Sequence, residues 1–193
     1  GAEHFSCAAV APDLFTVTFN GLSKSHMIAG FRCGWMVISG ERSHAADYIE
    51  GLRMLASMRL CANVPSQSVI AAALSDAYSA APLLAPGGRL YEQRELIYRA
   101  VNDIPGLSST KPQAAFYLFP RIDTERFGIY DDERFVLDFL HEHHVLMTHG
   151  RGFNWPAPDH FRIVYLPQAN ELADIAGRLG RFLGSYRQAR DGE

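Results

Sequence analysis

Over residues 14–19 apolar side chains alternate with threonines, a two-residue period that predicts a strand, and Asn20-Gly21 ends it as a turn. The apolar run 35–38, closed by Ser39-Gly40, predicts a second strand. Over 43–60 the period becomes helical. Tyr48, Leu52, Leu55 and Ala56 share one face, and Met54 and Met58 widen the stripe, which predicts a well-buried helix with the two methionines in the core. Asn63-Val64-Pro65-Ser66 breaks that pattern, and a further helix is expected over 66–78. Segment 82–88, with two prolines and two glycines, is the best candidate for a hinge or domain boundary.

Beyond it the pattern predicts a helix over 88–103, with Leu90, Ile97, Val101 and Ile104 in register and Pro105-Gly106 as its stop. Segments 108–111 and 115–120 read as a pair of strands. Asp131-Asp132 is placed to cap a helix reaching residue 143, with Val136, Phe139 and Leu140 inward. Short strands are expected over 145–148 and 161–166. Asn170 should cap a last helix that carries Leu172, Ile175, Leu179, Phe182 and Leu183 at helical spacing. The fold class is therefore α/β, becoming α+β in the second half, where helices and strands alternate around a modest sheet.

Composition narrows the function classes. The chain has 193 residues, 48% of them hydrophobic, enough for a real core, and 11% aromatic content with a mean hydropathy of −0.07 argues against disorder. Eighteen Lys+Arg against 21 Asp+Glu give a net charge of −3 and a pI of 6.2, with no basic block, so nucleic acid is not an expected partner. Cys7, Cys33 and Cys61 are odd in number and form no Cys-x-x-Cys pair, which excludes a disulfide framework or cysteine zinc site and suits a cytoplasmic location. No segment approaches the ~18 apolar residues of a membrane helix, so no membrane partner is expected. The first residues lack the basic and apolar regions of a signal peptide, and the absence of an initial Met reads as a piece of a longer protein.

The chemistry concentrates in residues 19–35, where a strand runs into small residues, then Lys24, then Arg32 eight positions later, then a second strand. Most lysines are solvated surface groups. Lys24, however, is the only lysine in the first 110 residues and sits in an apolar, Gly-rich neighbourhood. A lysine removed from water and beside an arginine has its pKa lowered from about 10.4, toward the neutral amine that Schiff-base chemistry needs. The arginine's planar fork suits a phosphate.

Gly21-Leu22-Ser23-Lys24 and Gly30-Phe31-Arg32-Cys33-Gly34 together resemble the lysine motif of class I/II aminotransferases, the fold-type-I enzymes that use pyridoxal 5′-phosphate. Met27 and Cys33 depart from the residues most often seen there, and Gly21 stands where many relatives carry a phosphate-binding serine, a role that Ser23 is placed to take. The resemblance continues through Tyr48-Ile-Glu-Gly-Leu, Met58-Arg-Leu-Cys-Ala-Asn-Val-Pro, Pro86-Gly-Gly-Arg-Leu, Lys111-Pro-Gln-Ala-Ala-Phe-Tyr-Leu-Phe-Pro and Gly152-Phe-Asn-Trp-Pro-Ala-Pro-Asp-His, which look like the glutamate–pyruvate (alanine) branch. Phe161-Arg162-Ile163-Val164 matches the segment of the family's substrate arginine.

The resemblance implies the C-terminal part of the PLP-dependent transferase fold. Residues 1–82 would be the tail of the large cofactor-binding domain and 83–193 the small C-terminal domain. It implies pyridoxal phosphate held by Lys24, Arg32 and Ser23, Lys24 as the catalytic base, Arg162 on the substrate carboxylate, amino-acid and 2-oxo-acid substrates, and a homodimer. Aspartate or another amino acid as donor, and a non-catalytic fragment that keeps the half-enzyme fold, are the alternatives. On its residues alone Arg162 is equally an exposed edge-strand arginine or a carboxylate ligand facing away from Phe161 and Ile163.

Other clusters are better explained structurally. His141, His143 and His144 lack a carboxylate or cysteine at metal-ligand spacing and read as a polar helix end. Asp131-Asp132-Glu133 fits a helix N-terminus. The Gly- and Pro-rich segment 150–158 is expected to shape the substrate mouth, and Tyr117 lies near the site by resemblance, with a packed strand aromatic as the other reading.

Overall fold

The computed structural model describes residues 3–75 and 80–189, which divide into two compact units, 1–80 and 81–193. The first unit opens with a one-turn helix, α1 (Cys7–Val10), whose N-terminus is capped by the Ser6 hydroxyl. Strands β1 (Thr16–Gly21) and β2 (Gly34–Ser39) pair antiparallel from Thr16 opposite Ser39 to Gly21 opposite Gly34. The connection between them carries α2 (Leu22–Ser25) and a 3₁₀ turn, Ala29–Phe31.

Helix α3 (Ala46–Arg59) forms where the period predicted it but buries none of its residues. Tyr48, Met54, Leu55 and Met58 are 56%, 62%, 64% and 79% exposed, so the expectation of a well-buried helix with a methionine core is wrong for this chain. Periodicity identifies the face a helix is able to bury, and among the described residues little packs against that face beyond the Phe15 ring, edge-on to Tyr48 at 5.9 Å. Asn63 then acts as an N-cap, its side chain accepting from Ser66 N, for α4 (Val64–Ser68), which α5 (Ile70–Ala73) follows. The expected helix over 66–78 is thus two short ones, and residues 76–79 lie outside the described part. Of the unit's apolar side chains, Leu22, Cys33 and Ala45 are buried.

The second unit holds the larger core. After α6 (Ala81–Leu84), α7 (Arg89–Asn102) buries Leu90, Ile97 and Val101 on the expected face. Strand β3 (Leu107–Ser108) does not pair with β4 (Tyr117–Leu118). It pairs instead with β5 (Arg121–Ile122), while β4 joins a different sheet. Pro112 has no N–H to donate and Ala115 adopts a left-handed φ of 58°, so the chain between β3 and β4 cannot continue as a ladder. A short helix, α8 (Thr124–Phe127), leads to α9 (Asp132–His143).

The three-stranded sheet has the order β4–β7–β6, with β6 (Thr148–His149) and β7 (Phe161–Val164) antiparallel. Helix α10 (Ala169–Ser185) packs along α7 and buries Leu172, Leu179, Phe182 and Leu183. Its cap is Gln168, two residues before the expected Asn170, because Glu171 accepts from Gln168 N at 2.8 Å in a reciprocal capping box. Phe135, Phe139, Phe161 and Phe182 form the aromatic centre of this core.

Candidate active site

In the first unit the candidate residues sit at the neck of the β1–β2 hairpin. Gly21 and Gly34 face each other there, and Leu22 N donates to Cys33 O at 3.2 Å. A Cβ on Gly21 would lie 2.8 Å from that carbonyl oxygen and 3.1 Å from Gly34 Cα, so the backbones approach too closely for any other residue. The neck places Lys24 just after β1 and Arg32 just before β2.

Leu22 is fully buried, and residues two apart on a helical turn face opposite ways, so Lys24 on the same turn is exposed. The expectation of a lysine removed from water is therefore not met in this chain. Ser23 is half-buried and Arg32 exposed, with Arg32 Nη1 donating to Ala29 O at 2.9 Å. Arg32 and Met27 both take left-handed φ values, 53° and 57°, which bracket the 3₁₀ turn. Two anchors hold the connection. Ser25 Oγ lies 2.8 Å from His26 Nδ1, whose Nε2 lies 2.7 Å from Ala73 O, and Ser66 Oγ donates to Phe31 O at 2.5 Å. A carbonyl only accepts, so Nε2 carries the hydrogen of its contact with Ala73 O, while the Ser25 hydroxyl also reaches Gly21 O at 3.1 Å.

Arg162 belongs to the second unit and lies on β7, the middle strand, which removes the edge-strand reading. Its guanidinium carbon sits 4.7 Å from the Tyr117 ring centroid and 4.5 Å from that of Phe153. Its Nε is buried with no hydrogen-bond partner among the described residues. Tyr117 stands opposite Val164 on β4, on the face of β7 that Arg162 shares, and Phe153 ends a 3₁₀ helix, Gly150–Phe153, directly after β6. The sequence reading assigned neither ring to Arg162. The aromatic residues of segment 150–158 were the available signal.

Beyond Phe153 the aromatic cluster continues through Phe119, Trp155 and His160, with Phe119 stacked on His160 at 4.9 Å. Asp159 anchors it: Oδ1 accepts from Trp155 Nε1 and His160 Nδ1, both at 2.8 Å, and Oδ2 accepts from Arg121 Nε at 3.2 Å. Burial alone would raise this carboxyl, but the donors from His160, Trp155 and Arg121 outweigh it and hold it below its ordinary 3.8. A carboxyl lowered in the folded state stabilises fully above its unfolded pKa and loses that contribution as pH falls through the folded value. Asp159→Asn should therefore cost about 1–3 kcal/mol near neutrality. In denaturant titrations the gap between wild type and variant should close as the pH falls below about 4.

The acidic cluster at α9 divides its work. Asp131 Oδ1 caps Glu133 N and Arg134 N at 3.0 and 3.2 Å, while buried Asp132 accepts from Arg151 Nε and, at 2.8 Å, from Arg151 N. His143 packs its ring on Phe139 and Phe182, and His141 and His144 are exposed. Among the described residues no group of three or more His, Cys, Asp or Glu is placed to hold a metal ion, and no helix is long and apolar enough to cross a membrane.

The first unit thus carries a lysine just after β1 and an arginine just before β2, and the second a half-buried arginine with an unpartnered Nε on its central strand. The model of the family "Aminotransferase class I and II" matches residues 2–179, and the chain belongs to that family. It is 56% identical over 187 residues to the glutamate-pyruvate aminotransferase AlaA of Escherichia coli K12, and 52% identical over 187 residues to an alanine aminotransferase of Mycobacterium bovis. These alignments cover 97% of this chain but 46% and 44% of the relatives, so the chain spans about half the length of the curated relatives it matches. A crystal structure of an Escherichia coli aminotransferase superposes with a TM-score of 0.95 at 55% identity, again over 97% of this chain and 46% of that one. The mixed helix-and-sheet architecture is thus part of the α/β fold of PLP-dependent aminotransferases.

Proposed function

We propose that the complete protein is a pyridoxal-phosphate-dependent aminotransferase that exchanges the amino group between alanine and glutamate and their 2-oxo acids, pyruvate and 2-oxoglutarate. Units 1–80 and 81–193 are then the tail of its large domain and its small domain. A cytoplasmic homodimer is the matching setting, in keeping with three free cysteines.

The donor set fits the cofactor. An exposed lysine amine suits its aldehyde, and an exposed guanidinium and a half-buried serine hydroxyl on the same β1–β2 connection suit its phosphate. When bound, the cofactor supplies an electron sink for the bond broken at the substrate α-carbon. Lys24 Nζ would hold it, and the same amine would accept the proton from the substrate Cα and return it on the other side of the transfer. Arg32 and Ser23 bind the phosphate, and Arg162 binds the substrate α-carboxylate.

The observation that carries this reading is the Nε of Arg162, buried and without a hydrogen-bond partner among the described residues, on a half-buried side chain set against two aromatic rings. The 56% identity to a glutamate-pyruvate enzyme supports the choice of substrates. The full-length protein, assayed with 2-oxoglutarate and a panel of amino donors, should prefer alanine over aspartate by at least ~10-fold in kcat/KM, about 1.4 kcal/mol. A preference for aspartate would move the protein to the neighbouring branch. Absence of both turnover and cofactor absorbance would make it non-catalytic.

A further inference from the structure

Half-buried arginines elsewhere in the second unit are neutralised by carboxylates, Arg94 by Glu95 and Arg178 by Asp174. Arg162 is treated differently. Aromatic rings from β4 and from the 3₁₀ helix that follows β6 occupy positions where those arginines have acids, at 4.7 and 4.5 Å from its guanidinium carbon. A ring face attracts a cation without cancelling its charge, and its flat surface restricts the guanidinium to a plane, leaving the in-plane donors for a ligand. A carboxylate in that place would fill those donors itself.

Phe153 is also 45% exposed, an apolar ring left partly in water. Its backbone is held by tight local geometry. Gly150 N donates to His160 O at 2.8 Å, and a Cβ on Gly150 would come within 2.7 Å of that oxygen, while Asn154 at φ 59° ends the 3₁₀ turn. A fixed loop that presents an exposed ring to one guanidinium has a use beyond packing.

We infer that Phe153 is a positioning residue: together with Tyr117 it holds the Arg162 guanidinium flat and un-neutralised for in-plane capture of the substrate α-carboxylate. This rests on the reading of Arg162 as the substrate arginine. Phe153 touches Arg162 and acts through it, so its removal should weaken carboxylate binding and spare the proton transfer.

The test uses the full-length, cofactor-loaded enzyme with Phe153→Leu, which keeps apolar bulk without a ring face, and Phe153→Trp, which keeps the face. Propionate, an unreactive carboxylate, serves as the binding probe. Phe153→Leu should raise the propionate Kd and the KM of both alanine and 2-oxoglutarate roughly tenfold, with kcat within about twofold and cofactor absorbance unchanged. Phe153→Trp should restore binding. Unchanged Kd and KM in Phe153→Leu, or a fall in kcat and cofactor content that matches the rise in KM, would overturn the inference. Arg162→Lys separates the two claims. If it weakens propionate while Phe153→Leu does not, the positioning role fails alone, and if it leaves propionate binding intact, the substrate reading of Arg162 fails and takes this inference with it.

Discussion

Replacing Lys24 with alanine in the complete enzyme is expected to lower kcat for transamination by about 10⁴-fold, the upper range for loss of a positioned general base. The variant should remain folded, because the turn is anchored by fully buried Leu22 and by the Ser25–His26–Ala73 contacts. The chain has one other lysine, Lys111, and it cannot take over. Its Nζ is 2.7 Å from Glu95 Oε1 and lies over the Tyr98 ring at 5.8 Å, in the second unit. Lys24→Arg keeps the positive charge but replaces the amine with a group that stays protonated, so it should be as inactive as the alanine variant. Borohydride treatment of the cofactor-loaded wild type should leave the pyridoxyl label on the peptide containing Lys24. A label on Lys111, or an active alanine variant, would remove Lys24 from the chemistry.

The long helices of the second unit were legible because their apolar faces meet a core. Ile97 and Val101 on α7, Phe139 on α9 and Leu179 on α10 all end buried where the periodicity placed them. The same rule failed at α3, where Tyr48, Leu55 and Met58 keep helical spacing and stand in solvent, since a period carries no information about what lies opposite. Strands β3 and β4 were expected but paired with each other, and β5 was missed, for a different reason. Partner choice among such short strands is set by non-local contacts, and the irregular backbone at Pro112 and Ala115 has only a weak local signature. At the candidate site, motif spacing singled out Lys24 and Arg32 but carried no information on the exposure of Lys24. That depends on Leu22 taking the inward side of a single turn. The rings on Arg162 come from an opposing strand and a 3₁₀ turn, and no local pattern around Phe161-Arg162-Ile163 names them.

Arg162→Lys is expected to lower kcat/KM by two to three decades, about 3–4 kcal/mol, the cost of losing a desolvated two-pronged ion pair. Lysine keeps the charge but offers a single point of attachment, and its ammonium cannot lie flat between the Tyr117 and Phe153 rings as a guanidinium does. The sheet should tolerate the exchange. β7 pairs with its neighbours through the backbone, Tyr117 opposite Val164 and Thr148 opposite Arg162, and the side chain at 162 makes none of those bonds. Both half-reactions should suffer alike, because amino acid and 2-oxo acid carry the same α-carboxylate. Cofactor absorbance before substrate addition should not move, since Lys24, Ser23 and Arg32 are the residues assigned to the cofactor and Arg162 engages the substrate that arrives later. Stopped-flow measurement of each half-reaction with alanine and with 2-oxoglutarate separates the outcomes. Equal losses with normal absorbance place Arg162 on the carboxylate, a loss confined to one substrate assigns it to that substrate's side chain, and near-normal kcat/KM returns it to a packing role on the central strand.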